Sequence, residues 1–220
     1  MTMGADAEIA ALREELRALR QRVQLLEDTE AVKRLQRAYG YYVDKALWTQ
    51  VLALFSDDCE IEISGRGVYR GSAGAETVFR RLVGGLIAKH DQGDGLSRGQ
   101  LHNHLQLQGL VHVDADGRHA RGRWRALIQV GVLGQLGHWA EGPYENEYAK
   151  GEDGIWRISV MRWYPTFYTP YEEGWGRTGL PMPGVSAEYP PDAPPSHRYE
   201  TYPGTFVPPY HYPHPVTGER

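Results

Sequence analysis

The N-terminal segment carries a heptad pattern of apolar positions. Over residues 7–28, apolar side chains recur at alternating spacings of three and four, and arginine and glutamate fill most other positions. The apolar positions are Ile9, Leu12, Leu16, Leu19, Val23 and Leu26. This spacing predicts an amphipathic helix with a coiled-coil-like stripe. Because about three heptads are short for an isolated coiled coil, the stripe either joins subunits that already touch or packs on its own domain.

The pattern then predicts two further helices. The pair Asp28–Thr29 can cap a second helix over about residues 29–47, with Glu30 in its first turn. Residues 48–55 predict a short helix that opens at a threonine cap.

Alternation marks the first strand. Apolar residues alternate with glutamates over residues 59–64, which predicts a strand with one apolar face. A turn and a short strand follow in residues 65–71, and Ser72 can cap a helix that runs to His90. Residues 91–100 are glycine-rich and predict a loop.

Long strands dominate the next part of the chain. Residues 101–114 and 119–133 flank the turn ADGR, and residues 138–150 and 154–168 flank the turn GEDG. Helices followed by a meander of antiparallel strands predict an α+β fold, with the helices on one face of a curved sheet.

From about residue 165 the composition changes to a proline-rich and tyrosine-rich arm. This region holds nearly all of the 14 prolines, which block helices and remove donors from strands. Disorder is the common behaviour of such tails, but the tyrosines, Trp175 and Phe206 are atypical of disorder. We therefore expect an ordered arm over residues 166–220 that wraps the domain or a neighbouring subunit. The N-terminal helix (1–28) and a central domain (29–165) complete the predicted organisation.

Composition narrows the class of ligand and partner. The chain has 14 tyrosines and 6 tryptophans against 4 phenylalanines, which suits an aromatic, hydroxylated ligand or a tyrosine-rich core. The net charge of −4 argues against nucleic acid as a partner. The single cysteine, Cys59, allows no disulfide within the chain and favours a reducing, cytoplasmic setting. No apolar run long enough for a membrane span and no secretory signal are present, so we expect no membrane partner.

Asp44 is the first candidate for chemistry. On a helical wheel it shares a stripe with Tyr41 and Trp48, and a carboxylate among apolar neighbours has a raised pKa. Such a group can hold or shuttle a proton near neutral pH. The alternative is a solvated aspartate at a helix end.

His102 and His104 are the second candidates. They lie at i and i+2 in a strand, so both side chains face the same way, and a neutral imidazole can relay a proton between hydroxyls. They could instead be satisfied by hydrogen bonds within the sheet. No third ligand stands at a telling spacing, so we predict no metal, and without a Walker loop or a glycine fingerprint we predict no cofactor.

A later strand adds polar and aromatic positions. Tyr144, Asn146 and Tyr148 share one face of the strand. Arg162 needs an anionic partner if it is buried, and an external salt bridge is the equal alternative. Further candidate walls, with core packing as the alternative, are Trp124, Trp139, Trp163, Tyr164 and Tyr168.

The order of these elements resembles the SnoaL-like branch of the nuclear-transport-factor-2-like superfamily over about residues 28–165. The matching stretches are YYVDKALWTQVLALFSDDCEIEI, YRGSAGAE, HNHLQLQGLVHV and GPYENEYAKGEDGIWRISVMRW. The resemblance implies a cone: a strongly bent, mixed or antiparallel sheet with helices closing a deep pocket. Dimers and trimers both occur in the superfamily, and we favour a homotrimer.

The resemblance also implies roles for single residues. Asp44 resembles the helix aspartate of scytalone dehydratase and bile-acid dehydratase, and Tyr39 matches the tyrosine that precedes it in the bile-acid enzyme. His104 best matches the acid–base histidine of the strand. Asn146 matches an inward polar position, and Arg162 falls near an arginine of the bile-acid enzyme. The predicted site thus has His104, Asp44 and Tyr39 as catalytic residues and Tyr41, Trp48, His102, Trp124, Tyr144, Asn146, Tyr148, Arg162 and Tyr164 as substrate-binding residues.

The N-terminal helix, LQRAYGYYVDKALW, LHNHLQLQG and the long arm together are similar to the bacterial γ-formaldehyde lyases of lignin-derived diarylpropane-diols. That likeness implies a cofactor-independent lyase that forms a hydroxystilbene with loss of formaldehyde and water. A dehydratase or isomerase acting on another aromatic or polycyclic alcohol is the first alternative. A non-catalytic binding module is the second, because fold alone does not fix function.

Overall fold

One long helix opens the chain. The computed structural model describes residues 4–87 and 93–219, and its first element, α1, runs without a break from Ala5 to Val43. The predicted start of a second helix at Asp28–Thr29 is therefore wrong. The Thr29 hydroxyl donates to the carbonyl of Leu25 inside the helix (2.7 Å), and the buried Asp28 carboxylate accepts from Lys150 Nζ (2.6 Å) and Trp156 Nε1 (2.8 Å). Asp28 is used to dock α1 on the sheet rather than to cap a helix.

The two halves of α1 differ in what they contact. Every residue of the helix before Asp28 is exposed, including the apolar heptad positions, which range from 45% exposed at Val23 to 68% at Leu26. From Asp28 onward Val32, Gln36, Tyr39 and Val43 are buried at helical spacing. The first half therefore does not pack on its own domain, and its apolar stripe has no cover within the described chain.

Short helical segments follow α1. They are α2 (Trp48–Leu52), α3 (Gly71–Glu76), a π-helical segment (Thr77–Val83) and α4 (Gly84–Ile87). The predicted Ser72 cap is wrong, since α3 already begins at Gly71 and its N-cap makes no side-chain hydrogen bond. The predicted helix end at His90 and the first residues of the predicted 91–100 loop lie outside the described residues.

The sheet is mixed and strongly bent, as the resemblance implied. Its strands are β1 (Phe55–Ile63), β2 (Val68–Arg70), β3 (Gln100–Val113), β4 (His119–Val132), β5 (Leu136–Lys150), β6 (Trp156–Trp163) and β7 (Phe167–Pro170). Within the described residues the order is β2-β1-β6-β5-β4-β3, with β7 on β5. β1 and β6 run parallel, and the other neighbours are antiparallel. Register shifts in β1, β3 and β5 bend the sheet around the buried half of α1.

Gly40 allows α1 to lie close against β3. A Cβ added there would come within 2.8 Å of Gln106 Cγ and 3.2 Å of the His104 carbonyl oxygen. Such a distance is shorter than van der Waals contact, so any larger residue would push the helix away from the strand. The close approach brings the end of α1 beside the two histidines of β3.

The C-terminal arm is ordered along its own domain. After β7 it contains no helix or strand within the described residues. Its main chain bonds to the domain at several points, among them Leu180 N to Tyr168 O (2.7 Å) and Tyr202 N to Thr166 O (2.6 Å). Ser196 donates to Glu62 through both its backbone N–H and its hydroxyl. The arm therefore follows its own domain at these points, which is one of the two courses that the sequence left open.

Among residues 4–87 and 93–219, no helix has both the length and the apolar character needed to cross a bilayer.

Candidate active site

A cavity of about 530 Å³ lies inside the cone. It is bounded by α1, the π-helical segment, the curled sheet and the arm, and most of its wall is apolar. Its volume is in the range of pockets that bind small organic ligands. The polar side chains and tyrosines on its wall are Tyr39, Ser64, Arg66, His102, His104, His138, Tyr144, Tyr168 and Thr201.

A second, wider cleft of about 680 Å³ lies within the arm. It is more open, and its walls are residues 175–182 and 199–203. None of the predicted site residues lines it, whereas Tyr39, His102, His104 and Tyr144 line the less open cavity inside the cone.

His102 is held by the end of α1. Its Nδ1 lies 2.9 Å from the carbonyl oxygen of Val43. A carbonyl can only accept, so Nδ1 carries the hydrogen and Nε2 keeps a lone pair. Burial lowers the pKa of His102 to about 4, even though the Val43 bond opposes the change. The imidazole is therefore neutral at physiological pH.

His104 lies next to His102 on the same face of β3. The ring centroids are 4.2 Å apart, and the rings meet edge to face. His104 Nδ1 is buried without a hydrogen-bond partner. Burial lowers its pKa well below the usual value, and His102 adds to that effect.

Asp44 does not line the cavity, although its stripe predicted that it would. α1 ends at Val43, and the half-buried Asp44 turns toward β3, where its Oδ1 accepts the backbone N–H of His104 at 2.5 Å. Burial raises the pKa of Asp44, and the bond from His104 opposes that rise. The carboxylate therefore holds the main chain of the histidine strand and does not reach the reacting space.

Tyr39 and Tyr144 face the cavity as a pair. Their hydroxyl oxygens are 3.4 Å apart, and their rings meet edge to face at 6.1 Å. Burial raises the pKa of Tyr144 to about 12 and that of Tyr39 well above its usual value. Both phenols stay protonated near neutral pH, so each can donate a hydrogen bond.

Three predicted ligand-binding residues belong to a separate buried network. Gln36 Oε1 accepts from Asn146 Nδ2 (3.0 Å) and from the Tyr148 hydroxyl (2.8 Å). The Tyr148 oxygen in turn accepts from Trp124 Nε1 at 2.9 Å. Trp124, Asn146 and Tyr148, which were predicted to bind substrate, do not line the cavity, and their polar groups bond to one another and to Gln36 of α1 instead.

Trp48 and Tyr41 also lie off the cavity wall. Trp48 is fully buried behind it, stacked on Phe79 with centroids 6.2 Å apart and tilted against His102 at 6.3 Å. Tyr41 is 74% exposed, because a residue two positions from the buried Tyr39 lies on nearly the opposite side of a helix. The expectation that both would line the pocket is wrong.

Arg162 and Tyr164 are on the outside of the sheet. Arg162 pairs with three glutamates, the shortest distance being 3.1 Å to Glu147. This is the external salt bridge that the sequence left open, and Arg162 does not line the cavity. Tyr164 packs beneath the arm, with its ring 6.2 Å from Tyr199 and 6.1 Å from Phe206. Tyr164 therefore anchors the arm and does not touch the cavity.

The sequence reasoning missed Ser64, Arg66 and the wall supplied by the arm. Ser64–Arg66 forms a 3₁₀ turn after β1, and both side chains line the cavity. The letters GRG indicated only a turn, and no pattern marks that arginine as buried. Residues 180–183 and Thr201 of the arm close the cavity, and no periodic signal in a proline-rich segment predicts such a contact.

Metal-binding geometry is absent from the site. No group of three or more histidine, cysteine, aspartate or glutamate side chains within residues 4–87 and 93–219 could hold an ion.

Comparison with known proteins identifies the family and the type of fold. The sequence matches the family described as the SnoaL-like domain over residues 24–162, which is more than half of the chain. No curated protein matches it significantly. The crystal structure of LinA superposes with a TM-score of 0.57 at 18% identity, covering 68% of this chain and 93% of that one. A hexachlorocyclohexane dehydrochlorinase, LinA-type3, from Novosphingobium barchaimii gives 0.56 at 19% identity, with coverages of 67% and 92%.

A putative scytalone dehydratase from Novosphingobium aromaticivorans gives a TM-score of 0.55 at 17% identity, covering 67% of this chain and 90% of that one. At these identities the solved structures establish the cone-shaped architecture. Together with the match over residues 24–162, they lead to one conclusion: the chain belongs to the SnoaL-like domain family.

Proposed function

We propose that this protein is a cofactor-independent lyase that converts a lignin-derived 1,2-diarylpropane-1,3-diol into a hydroxystilbene, formaldehyde and water. The proposal rests on the position of the His104 side chain and on the groups around it. Its imidazole lies on the wall of a largely apolar cavity, its Nδ1 has no hydrogen-bond partner, and two protonated tyrosines share that cavity. This combination supports proton relay between hydroxyl groups of an aromatic substrate.

The first step is loss of the benzylic hydroxyl. An ionised para-oxygen on the ring pushes electrons toward the benzylic carbon while Tyr39 donates its proton to the departing oxygen. Water leaves, and a quinone methide remains. Because burial raises the pKa of Tyr39, the tyrosinate that this step forms is a strong base. It takes a proton back in the second step.

The second step breaks a carbon–carbon bond. His104 accepts the proton of the terminal hydroxyl, the bond to that carbon breaks, and formaldehyde departs. The electron pair of the broken bond forms the stilbene double bond and restores the phenolate. His104 then returns a proton to Tyr39, so the cycle needs neither a net proton nor an oxidant.

The pocket also supports binding of two rings. Tyr144, Phe79 and Trp163 provide flat aromatic surfaces on the wall, on which substrate rings would pack. Asp44 serves as a positioning residue through the backbone of His104.

Elimination of water alone is the second candidate. Two structurally similar proteins are named a dehydrochlorinase and a putative scytalone dehydratase, and both names denote elimination reactions on small molecules. The same relay through Tyr39 and His104 would serve such a dehydratase, which would stop before carbon–carbon cleavage.

The test is incubation of the full chain with a diarylpropane-diol that carries a para-hydroxyl group. The lyase proposal expects ultraviolet absorbance of a stilbene to grow together with formaldehyde in equal amount. Dehydration without formaldehyde would establish the dehydratase instead. Saturable binding without any turnover would refute both activities and leave a binding module.

We also propose a homo-oligomer, with a trimer favoured, in which the exposed stripe of α1 packs against other copies. The apolar heptad positions of residues 9–26 have no cover in the described chain, and exposed stripes of this kind associate.

A further inference from the structure

We propose that Ser64 and Arg66 form a subsite that binds an ionised phenol oxygen of the substrate. This inference rests on the proposed function for the identity of the substrate class, and it adds the recognition of one particular group. The catalytic relay above does not use either residue.

The first argument is the unpaired guanidinium. Arg66 is 9% exposed and lies on the cavity wall. Among the ion pairs of residues 4–87 and 93–219, none joins Arg66 to a carboxylate. Its hydrogen bond to the carbonyl of Ile63 is 3.5 Å long and therefore weak. A buried charge without an anion is costly, so an anionic ligand at this place would recover much of that cost.

The second argument is the neighbouring hydroxyl. Ser64 Oγ is buried without a hydrogen-bond partner, and the residue is 4% exposed. Ser64 has a φ of 62°, a left-handed conformation that serine rarely adopts. The strained turn places a free donor two residues from the guanidinium on the same cavity wall. One hydroxyl and one guanidinium are a matched pair of donors for a single oxyanion.

Topology places this pair across the cavity from the histidines. The turn follows β1, whereas His102 and His104 belong to β3 at the far edge of the sheet. Three strands, β6, β5 and β4, separate β1 from β3 in the sheet order. A substrate that spans the cavity would thus hold its ring oxygen at Arg66 and its aliphatic hydroxyls at the histidines. That orientation is the one the proposed chemistry requires.

Tyr168 supports a phenol as the ligand group that Arg66 and Ser64 bind. Tyr168 lies on the same wall, and the charge of Arg66 lowers its pKa against the larger effect of burial. The guanidinium therefore acts on a phenolic oxygen within the cavity. Within the described residues Tyr168 makes no hydrogen bond to Arg66, whereas a ligand oxygen that accepts directly from the guanidinium and from Ser64 should have its pKa lowered by about one to three units. The resulting phenolate can push electrons along the ring.

The experiment follows ligand ionisation and needs no turnover. 4-Hydroxystilbene and 4-nitrophenol, whose phenolates absorb at longer wavelength than the phenols, are titrated with pH while bound to the full chain. We expect the bound phenols to ionise about one to three pH units below the free ligands. We also expect 4-hydroxystilbene to bind at least tenfold more tightly than 4-methoxystilbene.

Variants assign the effect to the subsite. Arg66→Met should abolish both the shift and the preference over the methoxy compound. The matched control is Arg162→Met, which removes an arginine from the outer face of the sheet and should behave as the unchanged protein. Ser64→Ala, which leaves the guanidinium in place, should weaken phenolate binding by about tenfold. If Arg66→Met does not fold, the result for Ser64→Ala decides whether the subsite binds the phenolate.

The outcomes separate this inference from the lyase proposal. A shift that survives both Arg66→Met and Ser64→Ala would overturn the subsite, as would tighter binding of benzoate than of 4-nitrophenol. Formaldehyde release by a protein that shows no shift would overturn the subsite alone. A shift in a protein that releases no formaldehyde would support the subsite and refute the lyase.

Discussion

The carboxylate of Asp44 touches the backbone of His104 and not its imidazole. Oδ1 accepts the His104 N–H at 2.5 Å, while the imidazole Nδ1 has no partner. Asp44 is outside the cavity that the imidazole lines. The pair therefore differs from a catalytic triad, in which the acid orients the ring itself. Here the acid fixes the strand that carries the ring.

This relationship predicts how Asp44 variants behave. Asp44→Asn keeps an oxygen that can accept the His104 N–H, so kcat should fall by less than about tenfold. Asp44→Ala leaves that part-buried donor unpaired and should lower the free energy of unfolding by about 1–3 kcal/mol. Measurement of kcat and of urea unfolding for both variants decides the matter. A collapse of kcat in Asp44→Asn with normal stability would instead indicate a direct proton-transfer role.

His104→Ala tests the proposed relay. The variant should fold, because the change removes a side chain from the wall of an existing cavity, and turnover should fall by about 10²–10⁴-fold. His112→Ala is the control on the same strand, since His112 faces His211 of the arm and not the cavity. Circular dichroism and ligand binding would confirm that the fold persists. Near-normal turnover in His104→Ala would refute the assignment.

His102 predicts a loss of stability in acid. Its pKa is about 4 in the folded protein against an ordinary 6.5, so between these values the unfolded chain binds more protons. Stability therefore rises with pH in that window and is lost as pH falls through it, by about 3 kcal/mol in total. Urea midpoints measured from pH 7 to pH 4 test this. His102→Leu should show a flatter profile, and an equally steep one would exclude His102 as the cause.

The close contact between α1 and β3 at Gly40 predicts that Gly40→Ala lowers both stability and activity. The added methyl group would meet Gln106 and the His104 carbonyl, so α1 must shift from β3. We expect a loss of about 1–3 kcal/mol of stability and a reduced kcat. Gly85→Ala is the matched control, because a Cβ there meets nothing within 4 Å. Gly40→Ala should have a lower melting temperature and a lower turnover than Gly85→Ala.

The stripe of α1 predicts a change in oligomeric state. Replacing Leu12 and Leu19 together by glutamate should shift the protein to a smaller species, because like charges then face each other across the seam. Mass photometry gives the subunit number directly. Replacing Arg13 and Arg20 by glutamine, off the stripe, should leave the subunit number unchanged. An unaltered assembly in the leucine variant would place the subunit contact elsewhere.

The periodic parts of the chain were predictable, and contacts between distant segments were not. Alternation at Cys59, Ile61 and Ile63 predicted β1, and all three residues are buried. The i and i+2 spacing of His102 and His104 predicted their shared face, and both line the cavity. Such patterns depend on local backbone geometry, which the sequence encodes directly.

The errors arose where tertiary contacts decide the outcome. Asp28 resembles a helix cap, but a lysine and a tryptophan of the sheet bind it inside α1. Asn146 has the right register for the cavity, but Gln36 fills the space before it. Arg66 stands in a sequence that indicates only a turn. For Asp28 and Asn146 the deciding partner lies far away along the chain, so no local pattern reports it.

The arm gives the binding site an independently variable wall. Residues 180–183 and Thr201 touch the cavity, yet they belong to neither the sheet nor the helices that form the rest of it. Substitutions there can reshape one side of the chamber without disturbing the strands that carry the histidines. Exchanging this stretch between related sequences is thus a route to altered ligand selectivity with the proton-transfer apparatus left intact.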